Sequence, residues 1–340
     1  MGIVFSLFNN LCRTSALPAR LDKKCYHGLK NQGATCYLNT VLQCLYMTED
    51  FRNYIKNSKQ CSEDSEGSAA LTQELHKLFE KLESAVGTTE GITQCLGICK
   101  VHEQQDALEY YQKIIKAVRP PASEVFKGEM SSNSKCLHGH LSEEKDPFIS
   151  IPLAIKTGQN EVYKVEEGLE NFFAHSKLDE DNWLYCEKCD QKNESETWNE
   201  IKVYPAILTL YLKRFAFDYK QMTLVKNNCV MDIPRTLDMK NCEYDLYAVI
   251  NHRGGRSGGH YNALIKSFED NLWYCFDDSS VTKGSKKSLN HSRLAYLLMY
   301  KKKESNQGKH LIQWILLHVG FAFLMNLKCN TMTSAVFCGA

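Results

Sequence analysis

The pattern of apolar residues changes once along this chain, at Pro120-Pro121, and that change limits the fold more than any other feature. Before it, three segments carry apolar side chains at helical spacing: 36–56, with Leu38, Val41, Leu42, Leu45 and Tyr46, then 70–86 and 103–118. The polar stretch 56–68 joins the first two as a loop. The proline pair, with no amide to donate and with φ fixed, stops the third. Beyond it, 148–155, 206–217, 244–252, 260–268, 272–281 and 295–301 are rich in β-branched and aromatic residues, several alternating with period two, which predicts a largely antiparallel sheet. No Pro/Gly-rich linker separates the halves. The expectation is an α+β protein whose two subdomains share an interface, a common location for a ligand cleft.

Composition removes several functions. The 41 Lys+Arg against 40 Asp+Glu leave no broad basic face for a phosphate backbone, which excludes nucleic acid as a partner. With 43% hydrophobic and 11% aromatic residues, the 340-residue chain can bury a sizeable core. Fifteen cysteines would suggest a disulfide framework behind a secretion signal, but no positive n-region precedes the first apolar run. The thiols therefore read as reduced and the compartment as cytoplasmic or nuclear. The two ends qualify this. Gly2 and Ser6 fit an N-myristoylation pattern, with Cys12 as a second acylation point. Residues 311–327 form a 17-residue apolar run behind Lys301, Lys302 and Lys303, interrupted by Gln313, His318 and Asn326. A tail anchor, an amphipathic helix on the domain and a stray terminus compete for that run.

Among the cysteines, Cys36 stands where a Gly33-containing turn enters the first helix. Free N–H groups and the helix dipole favour a thiolate at such a place, although from position alone a buried structural cysteine is the plainer reading. A thiol protease also needs a base, a group that orients the base, and donors for an oxyanion. His260 follows the glycines of RGGRSGGHYNALI, and Asp277 follows LWYCF at the end of the next strand, so two adjacent antiparallel strands bring imidazole and carboxylate together. Asn31, five residues before Cys36, is near enough to fold back over it with the Cys36 amide.

The stretch HGLKNQGATCYLNTVLQCLY resembles the Cys box of the ubiquitin-specific proteases, and SGGHYNALI with LWYCFDDSSV resembles their His box. QQDALEYY (104–111) and LTLYLKRFAF (208–217) resemble two further motifs, so the likeness spans about residues 25–303. It implies a papain-like helical thumb, a β palm and a β fingers subdomain, between an N-terminal segment (1–24) and a hydrophobic tail (304–340). It implies a deubiquitinating thiol protease that cuts the isopeptide bond after the Gly-Gly terminus of ubiquitin, with ubiquitin and ubiquitinated proteins as partners. Cys36 would be nucleophile, His260 general base and acid, Asp277 its orienting carboxylate, Asp278 the alternative or auxiliary one, and Asn31 the oxyanion donor. Gln105, Asp106, Gly258, Gly259 and Tyr261 would line the channel for the substrate tail; a first-turn helix charge is the plainer role for Asp106. A protease for another Gly-Gly-ending modifier, a non-catalytic ubiquitin-binding module and a lysosomal papain-like endopeptidase are the alternatives. The last lacks both a signal peptide and disulfide logic.

Catalysis of this kind needs no cofactor. A structural zinc is a separate matter: Cys186 and Cys189 form one knuckle, and Cys136, His138 and His140 lie in KCLHGH. The family often carries a second Cys-x-x-Cys pair here. Gly139 occupies the place of its second cysteine, so His138 or His140 would have to supply the fourth ligand.

Overall fold

The computed structural model describes residues 25–304 apart from 59–65, 157, 159, 160, 221, 256, 257 and 285–290. Gly2, Ser6, Cys12 and the apolar run 311–327 lie outside the described residues. Five helices precede the proline pair: α1 (Cys36–Tyr46), α2 (Glu49–Asn57), α3 (Glu66–Leu82), α4 (Glu90–Cys95) and α5 (Ala107–Ala117). The helix expected over 36–56 is therefore two. Thr48 is the cause: it takes extended backbone, and its Oγ1 lies 2.8 Å from both the Cys44 carbonyl and the Tyr247 hydroxyl, an alternative to continuing the ladder. A sixth helix, α6 (Val165–Phe173), appears in the β half, where the sequence reading placed only strands.

The main sheet runs Ser280–Lys283, Trp273–Asp277, Gly259–Lys266, Cys242–Gly254, Ala295–Lys302, Ile207–Lys213 and Ile151–Ala154, with Thr236–Met239 paired beside Cys242–Gly254. All neighbours are antiparallel except the last pair, Ile151–Ala154 with Ile207–Lys213. Period-two alternation then splits the side chains between two cores. Ala248, Ile250, Ala263, Ile265, Leu297 and Met299 face α1 and α5, whereas Leu246, Val249, Leu264, Leu298 and Tyr300 face the layer that holds α6. Deleting one such buried Leu side chain to Ala costs about 2–5 kcal/mol, so both faces anchor the sheet. All of α1 is buried, wedged between α5 and the Gly259–Lys266 strand.

A separate four-stranded sheet is ordered Leu141–Phe148, Gly128–Cys136, Ser195–Val203 and Ser176–Lys177, and its Ser195–Val203 strand packs against α6. Its edge strand Leu141–Phe148 is exposed nearly throughout. Its neighbour Gly128–Cys136 ends beside a short hairpin, Leu184–Cys186 with Gln191–Asn193. The α+β reading, helices first and antiparallel sheet after, describes the fold.

Candidate active site

The side-chain oxygen of Asn31 accepts from the amides of Gly33 at 2.9 Å and Thr35 at 3.0 Å, closing a turn that delivers the chain into α1. Cys36 is the first residue of that helix and is 2% exposed. Its Sγ accepts from the Tyr261 amide at 3.5 Å. The helix start alone predicts a lowered thiol. Burial instead pushes Cys36 up, Asp278 adds to that, and the amides of Tyr261 and Tyr37 with the Gln104 side chain offset only part of it. The resting group is a thiol that needs a base.

That base follows from strand register. Pairing of Ala263 with Phe276 through Lys266 with Trp273 extends to Asn262 opposite Asp277, so His260, two residues on, shares their face of the sheet. His260 Nε2 lies 2.5 Å from Asp277 Oδ1. Nδ1 is thus the nitrogen left to serve Cys36. No hydrogen bond joins the thiol to the imidazole in this geometry, a looseness common where no substrate is bound. A cavity of about 50 Å³ adjoins the pair, lined by Asn251, Arg253, His260, Asn262, Asp277 and Leu294.

Asp278 takes a different position. It turns the chain with φ +47°, and its carboxylate accepts from Asn31 Nδ2 at 2.9 Å and Asn39 Nδ2 at 2.8 Å. Its carbonyl accepts from the Leu29 amide at 2.8 Å. Gly28 permits that approach, since a Cβ there would collide with the Asp278 and Ser279 backbone. Asp278 therefore ties the end of the sheet to the loop before Cys36, although a carboxylate oxygen of Asp278 stays within 4.8 Å of the His260 imidazole and the Asp277 carboxylate.

The channel residues divide. Gly258 borders open space, and Gln105 is half-buried. Asp106 caps α5 through the amides of Leu108, at 2.7 Å, and Glu109, at 3.3 Å, and accepts from the Tyr296 hydroxyl. Tyr261 is 4% exposed, its ring packed against His252 and Tyr296, so only its amide faces the sulfur. Gly259 lies against His252. Two residues escaped the sequence reading. Gln104 donates to the Gly259 carbonyl and reaches the Cys36 sulfur; Asn39 holds Asp278. Gln104 is the first of the two glutamines before Asp106, and nothing in the sequence separates their roles. Asn39 follows Cys36 by three residues, one helical turn, which puts it on the same face of α1.

At the tip of the four-stranded sheet, Cys136, His140, Cys186 and Cys189 each offer a ligand atom within 4.8 Å of the others. Separations of 3.9 Å (Cys136 Sγ to Cys189 Sγ), 3.2 Å (His140 Nδ1 to Cys189 Sγ) and 3.5 Å (His140 Nδ1 to Cys186 Sγ) compare with about 3.6–3.8 Å for the edges of a zinc tetrahedron built from ordinary Zn–S and Zn–N bonds. The donor set fits the metal. His138 Nδ1 is 3.4 Å from Cys189 Sγ but lies outside that group of four. Burial would raise the Cys136 thiol, but the His140 and His138 amides and the two neighbouring thiols bring it below its ordinary value.

Against known proteins, residues 27–300 match the family model described as ubiquitin carboxyl-terminal hydrolase. Ubiquitin carboxyl-terminal hydrolase 47 of Drosophila melanogaster is 28% identical over 407 residues, covering 86% of this chain and 26% of that protein. The human protein of the same name is 28% identical, covering 76% of this chain and 25% of its own length. Ubiquitin carboxyl-terminal hydrolase 5 of Schizosaccharomyces pombe is 31% identical, over 76% of this chain and 25% of its own. The chain thus spans about a quarter of the length of the curated relatives it matches. Among solved structures, a chain of the SAGA Ubp8/Sgf11/Sus1/Sgf73 DUB module bound to ubiquitin aldehyde superposes with a TM-score of 0.69 at 26% identity, over 82% of this chain and 70% of that one.

Proposed function

The chain belongs to the ubiquitin carboxyl-terminal hydrolase family, and from that premise we propose that it is a deubiquitinating thiol protease acting through Cys36, His260 and Asp277. The observation that carries the reading is one piece of backbone: the strand that presents His260 to Asp277 at 2.5 Å also sends its next amide, that of Tyr261, to the Cys36 sulfur. In the proposed reaction His260 Nδ1 takes the thiol proton, and Cys36 Sγ attacks the carbonyl of the substrate's terminal glycine. The oxyanion forms beside the Cys36 amide and the second Nδ2 hydrogen of Asn31, whose first is held by Asp278. Collapse breaks the C–N bond as His260 returns its proton to the departing lysine amine. Water activated by His260 then hydrolyses the thioester and frees the ubiquitin terminus. The open backbone at Gly258 supports a narrow channel for a tail without side chains.

Residues 25–303 form the catalytic domain in this proposal, and zinc at the tip would be held by Cys136, His140, Cys186 and Cys189. Bound there, it would cross-link two loops and take no part in the reaction. The eleven cysteines among the described residues are all free of disulfides. Among the described residues no helix is long and apolar enough to cross a membrane.

The test is reaction with ubiquitin carrying a C-terminal electrophile, beside a Cys36→Ala control. A covalent adduct that forms on the wild type and disappears in the control is expected. Binding without an adduct would replace the protease by a binding module, and an adduct formed only with another Gly-Gly-ending modifier would change the substrate.

A further inference from the structure

Behind the hairpin that carries His260 sits a buried cation that the proposed mechanism does not use. Lys226 is 8% exposed, and its Nζ donates to the carbonyls of His252 at 2.7 Å and Gly254 at 3.2 Å, with the Phe215 ring 6.0 Å away. No carboxylate faces it among the described residues. Its neighbour Arg214, fully buried, is spent on the carbonyls of Ala295, Asn227, Cys229 and Ser292. Burial, then Arg214, lowers Lys226 to about 8. A charged group kept in such a place at a solvation cost calls for a reason.

The reason lies in the sheet ladder. The Cys242–Gly254 strand pairs on one side with Ala295–Lys302, and that pairing ends at Asn251 with Ala295. The His252 amide still reaches the Leu294 carbonyl, so the His252 carbonyl, pointing to the same side, and that of Gly254 beyond it face a gap where the neighbouring strand has stopped. Lys226 fills the gap with N–H groups. On the other side, Arg253 pairs with His260 and Gly254 with Gly259. Gly254 has φ +96°, and a Cβ on Gly259 would collide with His252, so the hairpin is set directly on the strand end that Lys226 holds.

We infer that Lys226 is a positioning residue for His260: by donating to the His252 and Gly254 carbonyls it fixes the strand end that aims the imidazole at Cys36. It touches neither substrate nor reacting atoms. Without it two carbonyls at the base of the hairpin lose their donors, and a shift well under 1 Å in the hairpin moves His260 from its line to the sulfur. Misplacements of 1 Å cost up to about a hundredfold, so loss of Lys226 is expected to cost about tenfold.

The inference rests on the protease reading, so its test uses one measurement with ubiquitin and one without, on the full chain. Lys226→Met keeps the length of the stem and removes the donors; Lys226→Arg keeps the charge and the donors. With a fluorogenic ubiquitin C-terminal amide, Lys226→Met should lower kcat about tenfold and leave KM within about twofold, and Lys226→Arg should recover most of the loss. In parallel, alkylation of Cys36 by iodoacetamide at pH 7.5, followed on the Cys36 peptide by mass spectrometry, should slow at least about fivefold in Lys226→Met, as it should in His260→Ala. Circular dichroism gives the folded fraction of each variant. The inference is overturned by a Lys226→Met protein with kcat and alkylation rate within twofold of wild type, by a loss of kcat no larger than the loss of folded protein, or by Lys226→Arg doing no better than Met. A wild type whose Cys36 alkylation depends on His260 and Lys226 but which turns over no ubiquitin would sink the protease reading and leave the role of Lys226 standing.

Discussion

The seam that holds Cys36 and the knuckle that holds Cys189 are both thiol sites, yet they are built in opposite ways. At the seam, a buried helix, two strands and a loop converge, and the polar groups are tied by a network that crosses long stretches of chain: Asn31 and Asn39 to Asp278, His260 to Asp277, Gln104 to Gly259. At the tip there is little core. The edge strand is exposed, Leu137 and Leu141 are each about two-thirds exposed, and three sulfurs and one imidazole crowd together with nothing larger behind them. The two sites differ in where they draw their order: the seam from packing that exists before any ligand arrives, the tip, in the proposed reading, from a zinc that would draw its ligands together.

The largest effect expected is loss of the nucleophile. Cys36→Ala should abolish turnover of a ubiquitin amide while the melting temperature moves by no more than a few degrees, because a small buried side chain is removed from an otherwise complete helix. A folded Cys36→Ala protein with residual turnover would place the chemistry elsewhere. Next come the two carboxylates, whose separate partners make them separable. Asp277→Asn should lower kcat by about 10²–10⁴ with KM little changed, since the imidazole loses its orienting partner. Asp278→Asn should act through Asn31 and cost about 10–10²-fold, an oxyanion-type loss. Equal losses at the two positions would break the division of labour drawn from the hydrogen bonds.

At the tip the expected effect is on binding and order. Metal analysis of the purified protein should give about one zinc per chain, with Cys189→Ser removing it. His140→Ala should weaken retention and His138→Ala should not, because only His140 lies within the group of four. Stripping zinc should raise KM for ubiquitin about three- to tenfold and leave kcat nearly unchanged, since the ligands lie on and beside a different sheet from the one that carries His260. An equal fall in kcat would show that the two thiol sites are one cooperative unit.

How much of this was legible beforehand follows the same division. The alternation of apolar residues located the sheet, and the boxes around Cys36 and His260 located the seam, because those signals are local and long. Asp277 was readable over Asp278 from its place at the end of the strand next to that of His260, but not decisively; what separates them is cross-strand parity, which needs the register. The helix cap made by Asp106 and the aromatic packing of Tyr261 were not legible, because a sequence cannot tell a side chain that caps a helix or packs in an aromatic cluster from one that faces solvent. The break at Thr48 depends on Tyr247, two hundred residues away, and α6 is a short amphipathic helix inside a β-rich half. The choice between His138 and His140 turns on how the Gly139 turn, with φ +83°, directs the histidines on either side of it.

The smallest expected effect concerns acid, and it sharpens the contrast between a packed seam and a metal-tied tip. His252, 2% exposed, lies behind Tyr261, and burial, followed by the charges of Lys226 and Arg214, lowers its imidazole from 6.5 to about 4. The folded chain therefore refuses a proton that the unfolded chain accepts below pH 6.5. Stability linked to His252 is complete above pH 6.5, declines as pH falls toward 4, and levels off below it, a loss on the order of 3 kcal/mol over the whole window. A zinc held at the tip as proposed would also be lost in acid, because metal affinity falls with pH. The two are separated by replacing His252 with Gln, which cannot titrate: the pH 7 stability of His252→Gln should fall somewhat from lost packing, while its decline in urea midpoint between pH 6.5 and 4 should be shallower than that of wild type, with zinc release unchanged. A variant whose acid decline parallels wild type would assign the acid sensitivity to the tip and remove His252 from the account.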